Sequence, residues 1–129
     1  MFKPAILLLA FVCLAPVLFA QNHKNICQLT VQKAEPVVMN NKLRWYKIVI
    51  HNGSAKTVDA VEWNAVFYDK FGKSVGTAKG TYSSGGLVSK PIKPGENLTD
   101  RETPEGIGDA DRIVISIKKV HFLESGNCH

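Results

Sequence analysis

The sequence predicts an all-β protein built as one antiparallel sandwich, and three observations carry that expectation. Val61, Trp63, Ala65 and Phe67 recur at every second residue between Val58 and Gly72, the period of a strand with one face in a core. Similar short segments recur along the chain, separated by turn residues such as Asn40-Asn41, Asn52-Gly53 and Pro94-Gly95. No segment after the first twenty residues has a helical period. Six to seven short strands at this spacing suit two face-to-face sheets, with a small barrel as the alternative.

The N-terminus precedes that domain. Lys3 is followed by an apolar run from Ala5 to Phe19, which reads as a secretory signal peptide and is too short, with Pro16 near its end, for a membrane span. Cleavage is expected after Ala20, so residues 1–20 form the signal and residues 21–129 the domain, although Leu18 is large for its place in the cleavage site. Val12 precedes Cys13, where lipidation would want a small residue. The product is expected to be secreted or periplasmic, with no membrane span in the mature chain.

Export governs the cysteines. Cys13 leaves with the signal, and Cys27 and Cys128 remain near the two ends. An even count in an oxidising compartment predicts a disulfide between them. A metal site with His23 and His129 is the competing reading, but two cysteines without a short Cys-x-x-Cys spacing make a poor zinc signature.

The elements follow in order. Cys27, Leu29 and Val31 alternate with polar residues in a first strand, which Pro36 is expected to break because it cannot donate to a ladder. Asn40-Asn41 marks a turn, and Leu43 to His51 is a second strand. Asn52-Gly53-Ser54 ends it, in a pair of residues that favours tight turns. The central strand then runs to an Asp69–Gly72 turn and returns over Val75 to Lys79, with Tyr82 to Gly86 as a link. Pro94-Gly95 occupies the middle of a type II turn. Asn97 to Glu102 is a short strand, and Thr103 to Asp111 a loop. Ile113, Ile115 and Ile117 alternate in the last long strand, but Val120 and Phe122 then take the apolar positions. That slip at Lys118-Lys119 predicts a bulge.

Val61-x-Trp63-x-Ala65-x-Phe67-Tyr68-Asp69-x-x-Gly72, followed by Ile92-x-Pro94-Gly95-Glu96, resembles the FxLYD type of small immunoglobulin-like domain. The resemblance spans Leu43 to Phe122. Ala65-Val66 stands where the name pattern has Phe and Leu, and the terminal cysteine pair is a departure. It implies an immunoglobulin-like sandwich in an envelope or secreted protein, and no activity.

The residues themselves point away from catalysis. There is no Gly-x-Ser-x-Gly elbow and no His-Glu-x-x-His pair, and Asp109-x-Asp111 lacks the rest of a calcium loop. No catalytic residue and no cofactor is expected. The net charge of +5 is scattered over Lys42, Arg44, Lys47, Lys90, Lys93, Lys118 and Lys119, without a nucleic-acid-binding module. Two strands are apolar on both faces. Leu43, Trp45 and Val49 lie opposite Tyr46, Ile48 and Ile50, while Val66 and Tyr68 lie opposite Trp63 and Phe67. A sheet solvated on one side is more polar there. Trp45, Val49, Val66 and Tyr68 are therefore the candidate partner-binding residues, for an unknown protein or envelope partner, unless loops cover them. The alternative function is metal scavenging. A mature N-terminus Gln21-Asn22-His23 places an imidazole third, where amine, two amides and His23 can enclose Cu(II) or Ni(II) in a plane. Cyclisation of Gln21 would block it.

Overall fold

Asn40 and Asn41 both take positive φ, 53° and 60°, and close a two-residue hairpin whose twist matches the flanking strands. The computed structural model describes residues 22–85 and 89–129. The predicted signal peptide, Gln21 and the end of the predicted link at Gly86 lie outside the described residues. That first hairpin joins β1 (Leu29–Met39) to β2 (Lys42–Asn52). Then follow β3 (Val58–Tyr68), β4 (Ser74–Ser83), β5 (Asn97–Glu102), β6 (Arg112–Phe122) and β7 (Gly126–Cys128). Two antiparallel sheets result, ordered β1-β2-β5 and β4-β3-β6-β7. The order is immunoglobulin-like, with the fourth strand paired to the third instead of closing the first sheet.

The core lies between the sheets. Tyr46, Ile48 and Ile50 from β2 face Trp63, Ala65 and Phe67 from β3 and Ile113, Ile115 and Ile117 from β6, all buried. Trp63 Nε1 donates to the Tyr46 hydroxyl at 3.0 Å, so the two largest core side chains satisfy each other across the sheets. Tyr46 also meets Phe67 edge-on at 5.5 Å. Gly80 on β4 leaves the indole its space, since a Cβ there would sit 2.2 Å from Trp63 Nε1.

Several expectations hold in detail. The Asp69 turn is closed by its Oδ1, which accepts the amides of Phe71 and Lys73, with Gly72 at φ 77°. Gly95 takes φ 82°, and Glu96 N–H donates to Lys93 O at 3.0 Å. Glu62 pairs with Lys119 while Trp63 pairs with Ile117, so Lys118 is the extra residue of the expected bulge.

Others are corrected. Pro36 does not break β1, because β1 is an edge strand and can lack a donor on its open side. Leu43 is buried rather than on the outer face with Trp45: Val37 pairs with Trp45 and Val38 with Leu43, so Arg44 bulges out and turns Leu43 inward. The return strand extends to Ser83. Asn52-Gly53-Ser54 ends β2 as expected, and the chain crosses there to β3 in the other sheet. Asn52 is a buried hub. Its Nδ2 donates to Lys56 O and Ile92 O, and its Oδ1 accepts from the backbone and hydroxyl of Ser54. All four of its side-chain bonding positions are filled.

The ends are tied as the cysteine count predicts. Cys27 and Cys128 form a disulfide, 101 residues apart in sequence. Beside it, Lys24 pairs in parallel with Ser116, through Lys24 N to Ile115 O at 2.9 Å and Ile117 N to Lys24 O at 3.0 Å.

Candidate binding faces

The four candidate partner-binding residues do not share a surface. Trp45 and Val49 lie on the outer face of β1-β2-β5, whereas Val66 and Tyr68 lie on the outer face of β4-β3-β6-β7. The crossing between β2 and β3 puts the width of the sandwich between the two pairs.

The second face is well filled. Val66 stands between Thr77 and Val114 in register, and Tyr68 between Ser74 and Arg112. The Arg112 guanidinium lies over the Tyr68 ring at 4.6 Å. Further along, a bulge at Asp59 aims its carboxylate at His121 Nδ1 in a close pair. A histidine oriented by a carboxylate is half of a catalytic arrangement, which a nucleophile would complete.

The first face is more open and builds up in rows across the strands. Thr30, His51 and Asn97 form one row, in which His51 Nδ1 and Asn97 Oδ1 lie 2.7 Å apart. Lys33, Val49 and Thr99 form the next, then Glu35, Lys47 and Arg101, then Val37 and Trp45. Arg101 reaches diagonally to place its guanidinium over the Trp45 ring at 4.9 Å. Trp45, Val37 and Val49 are half-buried, and the charged residues are exposed. A surface depression of about 550 Å³ lies elsewhere, between the β1–β2 turn and the 103–111 loop, against Leu43, Pro104 and Ile107.

β5 also turns two carboxyls inward. Asp100 pairs with Ile48 and Glu102 with Tyr46, both core residues. Burial first, and then the neighbouring Asp100, push Glu102 up to about 6, and burial with these two carboxylates pushes the Tyr46 hydroxyl up to about 12. The folded state therefore holds the Glu102 proton more tightly than the unfolded chain. The stabilisation from Glu102 is complete below 4.5 and is lost as pH rises through about 6. Glu102→Gln is expected to raise the melting temperature near neutral pH and to flatten its slope over that window. Parallel melting curves for variant and wild type between pH 4.5 and 6 would contradict this.

His23 sits in the sheet edge. Its Nδ1 accepts the Ile115 amide at 2.9 Å, and burial lowers its pKa. A planar metal chelate with a third-position histidine uses that same nitrogen, so metal binding would have to withdraw the ring from β6. Gln21, the residue that would supply the amine, lies outside the described residues. Among the described residues no cluster of three metal-ligating side chains is present, and no helix is long and apolar enough to cross a membrane.

No protein-family model matches the chain, and no curated protein matches it. It is similar to a solved structure described as "X-ray structure of Northeast Structural Genomics Consortium target SoR45", at 18% identity over 78% of this chain and 80% of that one, with a TM-score of 0.47. That description names no activity.

Proposed function

We propose that this protein is an exported, non-catalytic binding module that holds a protein partner against the outer face of β1-β2-β5. One observation carries the reading: Trp45 is half-buried on a solvent face, in register with Val37 and on the same face as Val49, while the core is complete without it. Tryptophan beside aliphatics and arginine is the composition of an interface centre. The disulfide suits an oxidising compartment. The apolar N-terminal stretch and the FxLYD-type resemblance support export in the same direction.

Site-specific photo-crosslinking in the producing cells tests it. A photoreactive residue at Val49 is expected to give a discrete adduct that is lost when Trp45 is also replaced by alanine. The same residue at Val66, on the opposite face, is expected to give none. Equal yields from the two positions, or none from Val49, would overturn the reading.

A further inference from the structure

We infer that this face recognises carboxylates of an acidic protein partner, with Arg101 and Lys47 as the anion-binding pair and Trp45 as the support that orients Arg101; the inference rests on the outer face of β1-β2-β5 being the binding face. Lys47 and Arg101 are directly opposite each other in the β2–β5 ladder. Side chains so placed have Cβ atoms about 5 Å apart, and like charges there destabilise the sheet. Across the other ladder Lys47 faces Glu35, but that carboxylate already lies 3.5 Å from Lys33 Nζ. Three cations thus meet one carboxylate over these strands. Such a local conflict does nothing for the fold, and conflicts of this kind mark functional sites.

Arg101 is also prearranged. Stacking over Trp45 at 4.9 Å restrains a side chain that would otherwise sample many rotamers, and leaves the guanidinium edge to meet a carboxylate through two parallel N–H···O bonds. An anion bridging Arg101 and Lys47 would remove their repulsion. The surroundings select the source of that anion. A sugar ring would stack on the indole face, which the guanidinium occupies. Val37 and Val49 flank the charges in neighbouring rows, giving an apolar contact that an acidic protein segment can fill and a bare polyanion cannot.

The purified oxidised protein can be titrated with a soluble poly-glutamate peptide, following backbone amide shifts and the fluorescence of Trp45 against buried Trp63. Shifts confined to Trp45, Lys47, Val49, Thr99 and Arg101 are expected. Arg101→Lys keeps the charge but loses fork and stack, and is expected to weaken binding about tenfold. Unchanged affinity in Arg101→Lys, shifts spread over all the lysines, or no response at this face would overturn the inference. So would tighter binding of dextran sulfate or of phosphatidylglycerol vesicles through the same residues, which would assign the face to a glycan or a lipid surface. If poly-glutamate fails while the Val49 adduct persists, the carboxylate preference falls and the docking face stands. If the adduct is absent too, the docking face falls with it.

Discussion

Trp63→Ala is expected to cost about 3–5 kcal/mol, the range for truncating a large buried aromatic side chain. Trp63 is fully buried, and it satisfies the Tyr46 hydroxyl from the opposite sheet. Alanine would leave a cavity and deprive a buried hydroxyl of its donor, and both effects act in the same direction. Small domains have about 5–15 kcal/mol in total, so the variant should be only marginally stable. Trp63→Phe separates the two effects. It keeps much of the volume but removes the N–H, and is expected to cost about 1–3 kcal/mol. Gly80, which makes room for the indole edge, offers no replacement donor from its side. Urea unfolding measures both variants, and a loss below about 1 kcal/mol for Trp63→Ala would show that the sheets are not held through this pair.

Removing the disulfide is expected to be nearly as damaging. Cys27 and Cys128 enclose almost the whole described domain, 101 residues in sequence. The chain-entropy argument gives roughly 4.7 kcal/mol for a loop near that length, and observed values centre on about 2–4 kcal/mol. The loss should also be local. Cys27 precedes β1, Cys128 ends β7, and the Lys24 bridge to β6 hangs on the same tie. The double substitution of Cys27→Ser with Cys128→Ser is expected to lower the unfolding midpoint and to raise amide exchange first at Lys24, Ile115 and Ile117. Unchanged stability would contradict this, as would two alkylatable thiols in the unreduced native protein.

The architecture is legible in the sequence because side-chain direction has a fixed period of two. Trp63 and Phe67 announce the core face of β3, and Ile113, Ile115 and Ile117 that of β6. Local turns are legible where the chemistry is local, as at Asp69, Gly72, Pro94 and Gly95. The phase slip at Lys118-Lys119 betrays its bulge because apolar residues stand on both sides of it. The Arg44 bulge gives no such sign. Leu43 and Trp45 keep an unbroken alternation in sequence, and only the register against Val37 and Val38 turns Leu43 inward. Pro36 misleads because edge or centre is a property of the sheet, not of the strand. The Asn52 hub is hidden for the same reason, since its partner Ile92 lies 40 residues away.

The candidate site is half legible. Hydrophobicity on both faces of β2 and β3 singles out Trp45, Val49, Val66 and Tyr68, but not their division between two sheets. Arg101 and Lys47 go undetected because their juxtaposition exists only in the β2–β5 register. The one signal in the sequence is the alternation within Asp100-Arg101-Glu102, where either the acids or the base must point inward.

Trp45 separates folding from binding in a single variant. Its loss from a half-buried outer position is expected to cost about 1 kcal/mol or less. Urea unfolding and Val49 cross-linking of Trp45→Ala, measured against the wild type, are therefore expected to show near-native stability with the adduct gone. A large loss of stability, comparable to Trp63→Ala, or a Val49 adduct that survives the substitution, would contradict a binding role for this face.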